Sequence, residues 1–169
     1  MKSIQVINGL KQLSIKCLKL KSLSIENLMK SSDIIDNLMT EVNKFKALET
    51  LQINIVISDY EELQKFNQYL KGFQTLTHLS VIIYFGDWYN GKQINEFLKI
   101  IEICLPNLRV LCLRHFGSSI NTIQVSEHTA DSLGRLSRLQ SLELYVNDNC
   151  IWDSIIDKVM KNCRKIKKN

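Results

Sequence analysis

The side chains of this sequence that could do chemistry are few, and their spacing does not suit it. Histidine occurs at His78, His115 and His128, with no ligand spacing among them or to the cysteines. Cys17, Cys104, Cys112, Cys150 and Cys163 include no Cys-x-x-Cys pair, so no zinc site is expected. Cys104, Cys112 and Cys163 fall at or beside apolar pattern positions, as small buried hydrophobes of a reducing compartment do. There is no Gly-x-Ser-x-Gly, no glycine-rich phosphate loop, no His-Glu-x-x-His and no aspartate-rich calcium loop. Glu61 and Glu62 stand at a helix start, where carboxylates favour the helix dipole. The sequence therefore predicts no catalytic residues, no metal, no cofactor and no small-molecule substrate, and function is expected on surfaces.

Two surfaces stand out. Tyr84-Phe85-Gly86-Asp87-Trp88-Tyr89-Asn90-Gly91-Lys92 places four aromatics in six residues around turn signals. Such a loop either anchors a partner through Tyr84, Phe85, Trp88 and Tyr89, since Trp and Tyr are enriched in binding hot spots, or it completes the core with Tyr84 and Phe85 while Trp88 covers the helix layer. Ile82, Arg114 and Tyr145 are expected beside it, completing a partner-binding set. The second surface is the tail: Lys158, Lys161, Arg164, Lys165, Lys167 and Lys168 are basic, and no acid occurs from residue 158 onward. The other 157 residues carry 16 basic and 17 acidic side chains, so the tail carries the net charge. It offers a contact for an acidic partner or a nucleic acid, or it serves as the polar cap of a helix end.

The elements that must position these residues follow from a repeated phrase, Leu-x-x-Leu-x-Leu. It reads Leu48-x-x-Leu51-x-Ile53, Leu76-x-x-Leu79-x-Val81, Leu108-x-x-Leu111-x-Leu113 and Leu139-x-x-Leu142-x-Leu144. Steps of 28, 32 and 31 residues separate these copies, a period typical of a solenoid. Two more copies stand ten residues apart, at Leu10-x-x-Leu13-x-Ile15 and Leu20-x-x-Leu23-x-Ile25. No helix fits between them, so residues 1–27 are expected to form irregular N-terminal repeats.

Within each phrase the alternation has period two, which predicts a short half-buried strand. Between phrases the period becomes helical. The stripes are Ile35, Leu38, Val42 and Phe45; Leu63, Phe66, Leu70 and Phe73; Ile94, Phe97, Ile101 and Leu105; and, more briefly, Ala130, Leu133 and Leu136. Ser58-x-x-Glu61 matches a capping box, and Gly72 sits near the end of that helix. Trp152, Ile156, Val159 and Cys163 predict a last helix. Alternating strands and helices imply a parallel sheet with crossover connections. The expected fold is an α/β solenoid: a curved parallel sheet on the concave face and helices on the convex face. It forms one domain, with regular repeats over 28–149 and a capping helix with its basic tail over 150–169.

These units resemble leucine-rich repeats of the long class, like those of ribonuclease-inhibitor-like and F-box-associated proteins. Cys104-Leu105-Pro106-Asn107-Leu108-Arg109-Val110-Leu111-Cys112-Leu113 carries the resemblance most clearly. That family places Asn or Cys three residues after the last leucine of the phrase. Here Val56, Tyr84 and Phe116 occupy that position, and Asn147 alone matches. The resemblance implies a binding scaffold whose x positions face the concave side. These are Ser22, Ser24 and Glu26; Thr50, Gln52 and Asn54; His78, Ser80 and Ile82; Val110, Cys112 and Arg114; Ser141, Glu143 and Tyr145.

A face so sparsely charged suits a protein better than a phosphate backbone, which favours rows of lysine and arginine. The expected function is a non-enzymatic protein-interaction scaffold or adaptor, a subunit of a larger assembly. Two alternatives are a ribonucleoprotein subunit contacting nucleic acid through the tail, and the recognition part of a ubiquitin-ligase-like receptor. The apolar runs are too short to cross a bilayer, and the N-terminus lacks the pattern of a secretory signal. A cytoplasmic chain without membrane contact is expected.

Overall fold

The second half of each regular phrase forms a strand, and the helical stripe before each of the first three forms a helix. The computed structural model describes residues 2–29, 32–57, 59–85, 91–117, 131 and 133–146. In chain order the elements are α1 (Lys2–Lys16), β1 (Ser22–Met29), α2 (Ser32–Val42), β2 (Thr50–Ile57), α3 (Tyr60–Leu70), β3 (His78–Phe85), α4 (Gly91–Cys104), β4 (Val110–Gly117) and β5 (Ser141–Val146). The strands make one sheet in the order β1-β2-β3-β4-β5, and every pair is parallel. Each helix carries the chain back to the start of the next strand, and α1 to α4 pack one on the next. This is the α/β leucine-rich-repeat-like solenoid that the repeated phrase predicts.

The core is a set of ladders running across the sheet. Leu23, Leu51, Leu79, Leu111 and Leu142 stand in register on successive strands. Leu51, Leu79 and Leu111 are buried, whereas Leu142 is partly covered. A second ladder, Ile25, Ile53, Val81 and Leu113, runs beside it and is buried throughout. The helix stripes close over these rows: Ile35, Leu38, Val42, Phe45, Leu63, Phe66, Leu70, Phe73, Phe97, Ile101, Leu105, Leu133 and Leu136 are all buried. Phe66 and Phe97 stack with ring centroids 6.1 Å apart, tying α3 to α4.

The same turn enters each strand. The first leucine of the phrase donates its N–H to the carbonyl three residues back, as in Leu48 to Phe45 (3.1 Å), Leu108 to Leu105 (3.0 Å) and Leu139 to Leu136 (2.9 Å). Two consecutive N–H groups of the next repeat then share one carbonyl. Glu49 and Thr50 donate to Lys21, Thr77 and His78 to Glu49, Arg109 and Val110 to Thr77, and Gln140 and Ser141 to Arg109. The residue before the first leucine adds side-chain bonds across repeats. Thr75 Oγ1 donates to the Leu48 carbonyl at 2.6 Å, Asn107 Nδ2 to that of Gln74 at 3.2 Å, and Arg138 Nη1 to Asn107 Oδ1. Backbone polar groups at these turns thus find partners in the adjacent repeat.

The structure corrects three local expectations. The first phrase, Leu10-x-x-Leu13-x-Ile15, lies within α1 and is not a strand. Leu10 is buried, while Leu13 and Ile15 are 43% and 78% exposed. The segment before Leu20 is therefore a regular helix. The cap of α3 falls one residue later than expected, on Asp59, whose Oδ1 accepts from the Glu62 N–H at 2.8 Å. Gly72 lies at the end of α3 as expected, directly after the C-cap Lys71, which is in a right-handed helical conformation. A Cβ at Gly72 would run into the Asn43 carboxamide, whose Nδ2 donates to the Tyr69 carbonyl at 3.3 Å. Lastly, Tyr84 and Phe85, expected to open the aromatic loop, belong to β3. Val56, Tyr84 and Phe116 extend β2, β3 and β4 in register, because β-branched and aromatic residues prolong strand pairing where asparagine would end it. Trp152, Ile156, Val159 and Cys163, and the division of the chain beyond residue 146, lie outside the described residues.

Two outcomes are expected. Leu111→Ala should destabilise the fold by about 2–5 kcal/mol in denaturant unfolding, and Leu142→Ala by less, because Leu142 is only partly buried. Asp59→Ala should cost about 1 kcal/mol and Ser58→Ala almost nothing, which separates the observed cap from the expected one.

Candidate interaction surface

Strand alternation divides the sheet into two faces. Along β2, Leu51, Ile53, Ile55 and Ile57 are buried, while Thr50, Gln52, Asn54 and Val56 between them are half-buried. The first set packs under the helices, and the second lies on the open face. Register turns the open face into rows. Ser22, Thr50, His78, Val110 and Ser141 form the first, and Ser24, Gln52, Ser80, Cys112 and Glu143 the second. Asn54, Ile82, Arg114 and Tyr145 form the third, and Val56, Tyr84 and Phe116 the fourth.

The expected x positions are thus confirmed as in-register rows, with one exception. The pairing of β1 with β2 shifts between Ile25 and Met29, so Glu26 lies at a bulge outside the third row. Asn54 bridges that irregularity, its Nδ2 donating to the Glu26 carbonyl at 3.0 Å. Bulges commonly end regular pairing near a sheet edge.

Among the expected partner-binding residues, Ile82, Arg114 and Tyr145 come together in the third row. Tyr84 and Phe85 belong to the end of β3, adjacent to that row. Ile82 is half-buried. Trp88 and Tyr89 lie outside the described residues, as do Lys158, Lys161, Arg164, Lys165, Lys167 and Lys168. The residue that sequence reasoning missed is Val56, which is half-buried on the open face. Its signal was present, since Val56 continues the alternation Leu51, Ile53, Ile55, Ile57 by one more outward step.

The helix layer is held by polar links. Tyr60 donates its hydroxyl to Glu96 at 2.8 Å, and Gln64 Nε2 donates to the same carboxylate. Lys65 lies 3.3 Å from Glu61 and 3.9 Å from Asp36, and Tyr69 donates to Asp36 at 3.3 Å. These contacts tie α2, α3 and α4 together. The hydrogen bond to Glu96, helped by desolvation, raises the Tyr60 pKa above its usual value of 10.0. Among the described residues no group of three or more His, Cys, Asp or Glu side chains could hold a metal ion. No described helix is long and apolar enough to cross a membrane. Cys104 and Cys112 are buried and Cys17 is half-buried, and burial pushes the Cys104 thiol up.

Two measurements check this description. In the folded protein Cys17 should react with a maleimide before Cys104 and Cys112, read by peptide mass mapping, because it is the more exposed thiol. The folded state holds the Tyr60 proton more tightly than the unfolded chain, so this contribution is full below the unfolded value of 10.0 and fades as pH rises through the folded value. The stability advantage of the wild type over Tyr60→Phe should therefore shrink in unfolding curves taken above pH about 10.

No protein-family model matches the sequence, and no curated protein matches it. Solved structures do. A structure described as leiomodin-1 actin-binding site 2 is similar with a TM-score of 0.66 at 13% identity, over 94% of this chain and 87% of that one. The C-terminal domain of tropomodulin from Caenorhabditis elegans is similar with a TM-score of 0.59 at 12% identity, over 98% of this chain and 93% of that one. At these identities the likeness is one of fold, and the fold shared is leucine-rich-repeat-like.

Proposed function

We propose that this chain is a non-enzymatic protein-interaction module that binds a protein partner through the open face of its sheet. The observation that carries this reading is the in-register alignment of the strands, which sets the residues alternating with the buried ladders in four rows across the sheet. Half-buried side chains on paired strands are already ordered, so binding costs less conformational entropy than it would on a loop. The first two rows are mostly small and polar, the third sets Ile82 and Tyr145 between Asn54 and Arg114, and the fourth holds Val56, Tyr84 and Phe116. That mixture suits the apolar centre and polar rim of a protein interface.

The fold shared with a leiomodin actin-binding site supports actin as the first partner to test. A cytoplasmic place within a larger assembly is consistent with such a partner. The ribonuclease-inhibitor-like and F-box-associated resemblance, with its ubiquitin-ligase alternative, rests on the phrase around Cys104 to Leu113. The nucleic-acid alternative rests on Lys158 to Lys168. The structural neighbours support neither.

The test is binding to actin, as monomers by fluorescence and as filaments by co-sedimentation, for the wild type, Ile82→Glu and Ile103→Glu. Ile103 is 63% exposed on α4 and serves as the helix-layer control. Ile82→Glu should weaken association by about 2 kcal/mol or more with a nearly unchanged thermal midpoint, and Ile103→Glu should bind like the wild type. Equal binding by all three would remove the open face from the interface. Absence of binding to either form of actin would remove that partner.

A further inference from the structure

The N-terminal end of the solenoid differs from its interior in a way the open face does not explain. The first three repeats align without gaps at a step of 28 residues, so equivalent positions are directly comparable. Leu20 and Leu23 are half-buried, whereas their equivalents Leu48 and Leu76, and Leu51 and Leu79, are at most 1% exposed. Cys17 is half-buried where Phe45 and Phe73 are buried. One helix position faces the helix before it. On α2 this is Glu41, which accepts from Ser14 Oγ of α1 at 3.3 Å; on α3 it is Tyr69, which bonds Asp36 of α2. On α1 the position is Leu13, 43% exposed. Leu18, at the adjoining turn, is 63% exposed. Lys16, Cys17, Leu18, Lys19 and Leu20 line an open cleft of about 520 Å³.

This apolar end is framed by an unused edge and by charge. Among the described residues β1 is the outermost strand, paired with β2 alone. At each later repeat boundary two consecutive N–H groups bind a carbonyl of the preceding repeat; in the first repeat the corresponding donors are those of Lys21 and Ser22. Residues 1–25 contain Lys2, Lys11, Lys16, Lys19 and Lys21 and no acid. Lys21 is engaged by Glu49 at 2.8 Å, while Lys16 and Lys19 are exposed at the cleft.

We propose that this end docks an acidic, extended protein segment that adds a strand along β1. Its alternate apolar side chains cover Leu13, Cys17, Leu20 and Leu23, and its carboxylates meet Lys16 and Lys19. Main-chain bonds to the edge supply affinity and the alternate side chains supply selectivity. A second copy related by a two-fold axis would set the same lysines against each other. An anionic membrane would leave the edge backbone groups without hydrogen-bond partners in lipid. Charge complementarity therefore selects the acidic segment, and the site is independent of the open sheet face.

The experiment uses the whole chain and a soluble synthetic peptide of alternating glutamate and valine, with a lysine-for-glutamate counterpart as control. Binding is read by calorimetry, and its location by amide hydrogen exchange. The acidic peptide should bind and slow exchange at Lys21 to Ile25. The double variant Lys16→Glu/Lys19→Glu, with its circular dichroism unchanged, should bind at least about tenfold more weakly, and Leu13→Glu should weaken binding as well. Several results would overturn the proposal: no binding of the acidic peptide, equal binding of the lysine peptide, or protection confined to the open face. So would sedimentation with phosphatidylserine vesicles in place of peptide binding, or self-association abolished by Lys16→Glu/Lys19→Glu.

Discussion

The fold depends on apolar ladders that belong to no single repeat. Leu51 is buried because Leu23 and Leu79 flank it in register, and Leu79 because Leu51 and Leu111 do. A strand and a helix of one repeat cannot exclude water from these residues alone, so stability resides in the interfaces between repeats. The shared carbonyls at each strand entry serve the same end. They fix the register, and register aligns every other side chain with its counterpart. The open face is a consequence of that constraint, since residues alternating with the ladder must face away from the helices.

The sequence makes the ladder legible because Leu-x-x-Leu-x-Leu imposes period two where a strand is needed, and the stripes impose a helical period between. It misled at Leu10-x-x-Leu13-x-Ile15. Over six residues the phrase alone does not separate strand from helix, because Leu10 and Leu13 are also one helical turn apart. The signal that resolves it is longer. Ile7, Leu10, Ser14 and Cys17 stand 28 residues before Ile35, Leu38, Val42 and Phe45, and 56 before Leu63, Phe66, Leu70 and Phe73. Aligned on that step, the first segment is the helix of a regular repeat. The cap of α3 was ambiguous for a related reason, since Ser58 and Asp59 both precede a glutamate by three residues, and geometry selected Asp59.

The open face was legible as a set of x positions, but its extent was not. Val56 followed the strand pattern while standing where related repeats carry asparagine, and strand propensity prevailed. The basic character at the N-terminal end was hidden as well. The acids elsewhere in the chain balance it in any count of the whole, and folding places Lys16 and Lys19 beside a half-covered apolar end. Chemistry-bearing residues gave little guidance at either surface. What distinguishes both is position relative to the ladders, which a list of residue types does not contain.

Both surfaces rest on parallel, in-register stacking, and the most direct measurement is the pattern of interstrand nuclear Overhauser effects in the isotope-labelled protein. Parallel register predicts close contacts between the Hα of Ser22 and the amide of Thr50, and likewise from Thr50 to His78, His78 to Val110 and Val110 to Ser141. Strong Hα–Hα contacts between neighbouring strands, the mark of antiparallel pairing, would contradict the stacked-repeat architecture and both surfaces derived from it.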